Sequence, residues 1–129
     1  MGKLENKRIL IVDDEPELKE LIADYFRSLK CQVTEAGGGL EAFKICETRV
    51  FDFVVTDLKM AKGNGLELLE KLHAKNANLP KVILVTGFAE LTEAQARSKG
   101  ALALIYKPFK FHQLQQLMES ICENYPVQI

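Results

Sequence analysis

The sequence predicts an α/β fold: a doubly wound, five-stranded parallel sheet with five helices. Short apolar runs of strand length alternate with segments whose apolar residues recur at helical spacing. Strict alternation of this kind is typical of a parallel sheet that is covered by helices on both faces. The length of 129 residues fits a single domain. We expect that domain to span residues 1–129, with a folded core from about residue 7 to residue 124.

Each predicted strand is a short run rich in apolar and β-branched residues. The runs cover residues 8–12, 32–35, 53–56, 81–86 and 101–106. Right-handed crossovers between parallel strands place helices on both faces of the sheet. In the strand order 2-1-3-4-5, the direction of winding reverses between the first and third strands, and ligands bind at the carboxyl ends of the strands at that point.

The predicted helices fill the segments between the strands. Pro16 suits the first turn of the first helix. The fourth helix is predicted over residues 90–99 and ends at Gly100, a residue type common after a helix. In each of the other four helices, apolar residues recur at helical spacing and are expected to face the sheet. In the order of helices one, two, three and five, they are Leu18, Ile22, Tyr25, Phe26 and Leu29; Leu40, Phe43 and Ile45; Leu66, Leu69 and Leu72; Leu114, Leu117, Met118 and Ile121.

Composition excludes several classes of protein. The net charge of −1 gives no reason to expect direct binding to nucleic acid or to an anionic membrane, which needs a basic patch. No apolar run approaches the roughly 20 residues of a membrane-spanning helix, and residues 1–7 lack the apolar stretch of a signal peptide. Cys31, Cys46 and Cys122 are odd in number and widely spaced, so we expect reduced thiols and a cytoplasmic protein.

Carboxylates follow the first and third predicted strands. Asp13 and Asp14 end the first run, and Asp57 ends the third. Because neighbouring parallel strands end at the same edge of a sheet, these three acids should lie together. Like charges this close require a cation, and carboxylate oxygens favour a hard metal ion. The sequence therefore predicts a metal site at the carboxyl edge of the sheet.

The glycine pattern argues against a nucleotide site. A dinucleotide-binding domain needs G-x-G-x-x-G after its first strand. Here the turn after that strand is acidic and would repel a pyrophosphate. The run Gly37-Gly38-Gly39 has neither that spacing nor a following Lys-Ser/Thr, so we interpret it as a flexible turn.

The landmarks at the predicted strand ends resemble the receiver domain of bacterial two-component response regulators, of the chemotaxis-regulator type. The resemblance covers residues 7–124 and rests on motifs in a family-like order: Val12-Asp13-Asp14-Glu15-Pro16, Asp57, Met60, Asn64-Gly65, Thr86-Gly87, Gly100-Ala101 and Lys107-Pro108-Phe109. It implies a flavodoxin-like fold and a phosphorelay protein that catalyses its own phosphorylation and dephosphorylation without conventional turnover. The implied partners are a histidine kinase or histidine phosphotransfer protein and an unknown downstream protein or output domain.

The resemblance implies a role for each acid. Asp57 is the phosphoacceptor, since a carboxylate can attack a phosphoryl group. Asp14 and Asp57 bind Mg²⁺ (or Mn²⁺) together with the backbone carbonyl of Lys59, and Asp13 acts mainly through water. One divalent ion and the Lys107 ammonium neutralise the three carboxylates, as phosphoryl transfer requires.

Further family positions surround these acids. Thr86 is expected to donate its hydroxyl to the phosphoryl group, and Gly87 leaves room for the donor. Lys107 pairs with a phosphoryl oxygen. Pro108 is the candidate for a cis peptide bond, because X–Pro bonds lose much of the trans preference.

Two regions depart from the family pattern. Receivers usually carry an aromatic residue three positions before the lysine, where Leu104 stands here, and Tyr106 follows on the same strand face. We expect either that Tyr106 replaces the usual switch residue or that the signal leaves through another surface. Ala61 and Gly63 stand where larger or stiffer residues are common, so we predict a mobile loop over residues 60–64 without metal.

Lys59 and Phe88 lie two residues after Asp57 and Thr86. In receivers these positions flank the path of the hydrolytic water. One interpretation is that Phe88 blocks that water and that Lys59 contacts the phosphoryl group or hinders metal binding, which predicts a long-lived phosphorylated state; the other is that both are exposed loop residues without a role. We interpret His73 and His112 as surface or packing residues.

Two alternatives remain open. One is a receiver-like binding module that signals without phosphorylation. The other is a haloacid-dehalogenase-like phosphatase, which needs a second acid two residues after its nucleophile, where this chain has Lys59. The sequence does not distinguish a stand-alone regulator from an excised domain of a larger regulator or hybrid kinase, and it does not give the oligomeric state.

Overall fold

The computed structural model describes residues 2–75, 80–87 and 91–124. Strands and helices alternate through this part of the chain, as predicted. The elements are β1 (Arg8–Val12), α1 (Pro16–Ser28), β2 (Gln32–Ala36), α2 (Gly39–Thr48), β3 (Phe53–Asp57), α3 (Gly65–Lys75), β4 (Lys81–Thr86), α4 (Glu93–Ser98), β5 (Ala103–Tyr106) and α5 (Phe111–Asn124). None of the helices in these ranges is long and apolar enough to cross a membrane.

The strands form one parallel sheet in the order β2-β1-β3-β4-β5, which confirms the predicted order. Val12 at the end of β1 lies beside Thr56 of β3, and Thr86 at the end of β4 lies beside Tyr106 of β5. The residues that follow β1, β3, β4 and β5 therefore meet at one edge of the sheet. Asp13, Asp14 and Asp57 were predicted to lie at this carboxyl edge.

Two apolar layers hold the helices on the sheet. On one face, α1 and α5 pack on Ile9, Ile11 and Ile83 through buried residues that include Phe26 and Leu114. On the other face, α2, α3 and α4 cover a second set of strand residues. Burying one such side chain contributes about 1.5–3 kcal/mol. Both faces of β3 and β4 are buried, as expected for central strands of a parallel sheet.

Several predicted element details differ from the structure. β5 begins at Ala103, two residues later than predicted. α4 begins at Glu93, after a capping box in which Thr92 and Gln95 exchange hydrogen bonds. The predicted start of this helix at residue 90 lies outside the described residues. In α2 the small residue Ala42 faces the core, and Leu40 is 55 % exposed, so the prediction that Leu40 is buried was wrong.

The amino edge of the sheet is held by a charged pair. The carboxylate of Asp52 accepts hydrogen bonds from the Arg8 backbone N–H at 2.8 Å and from its guanidinium at 3.1 and 3.2 Å. Burial alone would raise the pKa of Asp52, but the hydrogen bonds and charge of Arg8 lower it below its ordinary value. The folded structure therefore favours the charged form of Asp52, which is paired with Arg8.

Candidate functional site: an acidic pocket at the carboxyl edge

Three carboxylates meet where β1 and β3 end. Asp13 and Asp14 directly follow β1, and Asp57 is the last residue of β3. One oxygen from each of the three lies within 4.8 Å of the other two. Asp13 and Asp57 are buried, and Asp14 is exposed. The pocket therefore has a buried floor and one acid at its open side.

Lys107 enters the pocket from the end of β5. Its Nζ atom lies 3.0 Å from Asp57 Oδ2, 3.7 Å from Asp13 Oδ2 and 4.0 Å from Glu15 Oε1. The other carboxylate oxygen of Asp57, Oδ1, accepts the backbone N–H of Leu58 at 2.8 Å. Both oxygens of the predicted phosphoacceptor are thus held by donors.

Backbone amides orient the other two acids. The N–H of Glu15 donates to Asp13 Oδ1 at 2.9 Å, and the N–H of Ala61 donates to Asp14 Oδ2 at 3.1 Å. The sequence reasoning assigned no role to Glu15 or to the Ala61 amide. The acidic run that follows β1 was the available signal for Glu15, whereas a backbone donor from a distant loop leaves no mark in the sequence.

The electrostatics of the pocket reflect crowded like charges. Burial raises the pKa of Asp13, and the Asp57 carboxylate raises it further, against the opposing effects of the Glu15 amide and Lys107. Burial alone would lower the pKa of Lys107, but its hydrogen bond to Asp57 and the surrounding negative charges raise it above its ordinary value. Lys107 is therefore a cation at neutral pH, whereas the folded structure disfavours the charged form of Asp13.

The donor set suits a magnesium ion. Three carboxylates carry three negative charges, and the Lys107 ammonium offsets one of them. One divalent cation would neutralise the remainder, and oxygen ligands are those that Mg²⁺ prefers. Lys59, whose backbone carbonyl is a predicted ligand beside Asp14 and Asp57, lies in the loop between β3 and α3 and is exposed.

The loop between β3 and α3 is packed tightly against Asp57. A Cβ atom on Gly65 would lie 2.2 Å from the Asp57 carbonyl oxygen, so only glycine fits there. The Gly65 N–H also donates to the Leu58 carbonyl at 2.9 Å. Asn64 caps the amino end of α3, because its side-chain Oδ1 accepts the Glu67 N–H at 2.8 Å. The Asn64-Gly65 motif is thereby explained by local geometry.

The remaining family positions lie around this edge. Thr86 is fully buried at the end of β4, its carbonyl accepts the Lys107 N–H at 2.8 Å, and Gly87 follows it at the surface. The peptide bond between Lys107 and Pro108 is cis. Phe88 lies outside the described residues.

Leu104 and Tyr106 lie on the face of β5 that is covered by α4. Leu104 belongs to the second apolar layer and is buried. Tyr106 is 45 % exposed, and its hydroxyl donates to the carbonyl of Leu91 at 2.8 Å, just before α4. Tyr106 therefore lies two residues nearer the carboxyl edge than Leu104, the position where receivers usually carry the aromatic residue.

A doubly wound sheet with a carboxylate cluster and a lysine at its carboxyl edge defines a class of phosphoryl-accepting domains. A family model for the response regulator receiver domain matches residues 9–119. The chain belongs to this family. It is a receiver domain of the two-component type, a class that signals through phosphorylation. Response regulators receive phosphate from histidine kinases or phosphotransfer proteins.

Curated relatives cover most of this chain. It is 30 % identical to the sporulation initiation phosphotransferase F of Bacillus subtilis over 88 % of this chain and 92 % of that protein. It is 32 % identical to the transcriptional regulatory protein ZraR of Klebsiella oxytoca over 83 % of this chain and 24 % of that protein. The chain thus spans about a quarter of the length of ZraR and, at 26 %, of the Pseudomonas aeruginosa response regulator PilR.

Solved structures agree with the fold. A CheY-like receiver domain protein from Methanospirillum hungatei superposes with a TM-score of 0.86 at 30 % identity, covering 92 % of this chain and 95 % of that one. TrrA from Thermotoga maritima, solved with Mg²⁺ and BeF, gives 0.80 at 30 % identity, covering 89 % and 98 %. The alternative of a haloacid-dehalogenase-like phosphatase has no support from these matches.

Proposed function

We propose that this protein is a cytoplasmic switch in which Asp57 accepts a phosphoryl group from a phosphohistidine on a histidine kinase or phosphotransfer protein. The observation that carries the proposal is the 3.0 Å contact between Asp57 and Lys107 inside the three-acid pocket. Lys107 donates a hydrogen bond to Asp57, whereas Asp13 and Glu15 lie farther from its Nζ atom, at 3.7 and 4.0 Å, so the cation is placed to receive new negative charge on Asp57.

The chemistry is a transfer between two nucleophiles. An oxygen of Asp57 attacks the phosphorus atom, the phosphorus–nitrogen bond breaks, and its electron pair returns to the imidazole ring. The product is an acyl phosphate on Asp57. Lys107 then exchanges part of its contact with the carboxylate for a phosphoryl oxygen, and the Thr86 hydroxyl donates to another. Hydrolysis by water later restores the carboxylate and releases inorganic phosphate.

Asp13, Asp14 and Asp57 would hold Mg²⁺, or Mn²⁺, with the carbonyl of Lys59. The bound ion supplies charge neutralisation to the phosphoryl oxygens. Asp14 is suited to direct contact because it lies at the open side of the pocket. Asp13, which is buried and lies 3.7 Å from Lys107, is proposed to act mainly through water.

The response is proposed to leave through the face formed by α4, β5 and α5. Tyr106 ties the end of β5 to the Leu91 carbonyl before α4, so a shift at Thr86 or Lys107 has a short path to that helix. Leu104 has no hydroxyl that could make such a bond. A downstream protein or output domain would bind this face differently in the two states.

Acetyl phosphate with Mg²⁺ tests the proposal, with intact mass as the measurement. The parent protein should gain the mass of one phosphoryl group, and Asp57→Asn should gain none. Asp14→Asn is the matched control, because it keeps the acceptor and weakens the metal site, so it should react slowly. A parent protein that never gains the adduct, under conditions where a known receiver does, would favour a binding module that signals without phosphorylation.

A further inference from the structure

The amino end of α2 is bound to the loop between β3 and α3 through backbone hydrogen bonds. The N–H of Gly39 donates to the Gly63 carbonyl at 2.9 Å, and the N–H of Leu40 donates to the Lys62 carbonyl at 3.3 Å. The first amides of a helix lack partners within the helix and are usually satisfied by a capping side chain. Gly38 stands at the cap position and has no side chain. The loop carbonyls therefore cap α2.

Three glycines permit this close approach. A Cβ atom on Gly38 would lie 2.6 Å from the Lys62 carbonyl oxygen, and one on Gly39 would lie 2.7 Å from the Gly63 carbonyl oxygen. A Cβ atom on Gly63 would lie 2.9 Å from the Leu40 nitrogen, at a φ of +86° that also favours glycine. The nearest obstacle at each of the three positions is a backbone atom, so no side-chain rotation relieves it. We call Gly38, Gly39 and Gly63 the glycine clamp.

The clamped loop also carries a donor to the acidic pocket. Ala61 directly precedes Lys62, and its N–H donates to Asp14 Oδ2 at 3.1 Å. A displacement of the Lys62 and Gly63 carbonyls would carry the Ala61 amide with it. The prediction of a flexible turn at residues 37–39 missed this contact between the turn and the site loop.

We propose that the glycine clamp positions the acidic pocket. It holds the loop between β3 and α3 at the place where the Ala61 amide orients Asp14 for the cation. Gly38, Gly39 and Gly63 are thus positioning residues, since they act through Ala61 and touch neither metal nor phosphate. The inference rests on the proposed function only in taking Asp14 as a metal ligand.

The neighbouring glycines provide a matched pair of variants. Gly39→Ala forces a Cβ atom onto the loop, whereas the nearest atoms to a Cβ on Gly37 are side-chain ends of Glu41 and Lys19 at 3.7 and 3.9 Å. Alanine is a better helix former than glycine, so a defect in Gly39→Ala would come from the contact and not from helix propensity.

Two measurements test the proposal on the full chain. Removing the partner that orients a metal ligand typically weakens affinity about 10- to 100-fold. The Mg²⁺ dissociation constant of Gly39→Ala should therefore rise about tenfold, and that of Gly37→Ala should stay within about twofold of the parent. In the metal-free protein, the Ala61 amide should exchange its hydrogen faster in Gly39→Ala than in the parent, and at the parent rate in Gly37→Ala.

The outcomes separate this inference from the proposed function. If Gly39→Ala matches the parent in both Mg²⁺ affinity and Ala61 exchange, the clamp does not position the pocket. If the parent itself binds no Mg²⁺, the proposed function fails, and Ala61 exchange alone decides the inference. Should Gly39→Ala fail to fold, Gly38→Ala takes its place, because Gly38 has extended backbone that alanine adopts freely and meets the Lys62 carbonyl in the same way.

Discussion

Asp13→Asn should make the metal-free protein more stable. Asp13 is a buried carboxylate between two other acids, and the substitution removes its charge while keeping its size. Asparagine Oδ1 can still accept the Glu15 N–H, which is 2.9 Å from Asp13 Oδ1 in the parent. The change therefore isolates the effect of one charge on the free energy of unfolding.

The magnitude follows from the three charged groups around Asp13. Asp14 and Asp57 each have an oxygen within 4.8 Å of one on Asp13. At an effective dielectric constant of about 20, each pair repels by about 3.5 kcal/mol. Lys107, at 3.7 Å from Asp13, attracts it by about 4.5 kcal/mol on the same scale. Because Asp14 is exposed, its share is reduced by solvent screening, and a net gain of about 1–2 kcal/mol is expected for the variant.

Urea unfolding at neutral pH with a chelator present is the assay. The proper control is Asp24→Asn, which makes the same change in net charge at an exposed acid on α1. That control should stay within about 0.5 kcal/mol of the parent.

The dependence on pH has a defined sign. The folded-state pKa of Asp13 is raised, so folding favours its protonated form, and the cost of its charge is present in full above that raised pKa. As the pH falls through the folded pKa toward the ordinary value, the parent recovers stability and the advantage of Asp13→Asn disappears. Added Mg²⁺ should also narrow the difference, because it stabilises the parent more. An Asp13→Asn protein that is no more stable than the parent at neutral pH, with the same m-value, would refute the repulsion argument.

Three other changes have defined outcomes. Asp52→Asn should lower the free energy of unfolding by about 2 kcal/mol at neutral pH, since it breaks the charged hydrogen bonds with Arg8. That loss should vanish in acid as the lowered pKa of Asp52 is crossed, and Mg²⁺ affinity should not change. Tyr106→Phe keeps the ring and removes the hydroxyl, so phosphorylation should shift the α4 amide resonances less than in the parent; equal shifts would contradict a relay role. The double variant Lys59→Asn, Phe88→Ala should lose its phosphoryl group faster than the parent, as followed by intact mass, and an unchanged lifetime would exclude these residues as barriers to water.

The sequence predicted the sheet well because the signals were local. Each strand is a short apolar run, and each acid of the pocket directly follows such a run. Once the strand order was fixed, the meeting of Asp13 with Asp57 followed from the geometry of parallel strands. Element ends were less certain. Thr92 caps α4 through a bond to Gln95, and the predicted start at residue 90 was placed without that cap.

The missed features are backbone interactions between segments far apart in the chain. The Ala61 amide contacts Asp14 across 47 positions, and nothing about alanine indicates a donor role. The packing of Gly39 on Gly63 was missed for the same reason, because the sequence of a glycine run does not distinguish a flexible turn from a close backbone contact. Leu40 was placed in the core by its spacing, yet Ala42 occupies that side of α2, where the helix lies close to the sheet.

The two edges of the sheet shift the pKa of a buried acid in opposite directions, and this contrast bears on how the pocket would respond to a ligand. At the amino edge, Asp52 has Arg8 as a partner, and its lowered pKa means that its charge supports the fold. At the carboxyl edge, Asp13 and Asp57 share Lys107 while Asp14 lies beside them, and the raised pKa of Asp13 means that its charge opposes the fold. On the proposed function, we expect a divalent ion, or a shift of Lys107 toward a phosphoryl group, to relieve the repulsion at this edge. The Arg8–Asp52 pair lies at the opposite edge, so we expect that relief to move the loops that carry the pocket acids and to leave this pair unchanged.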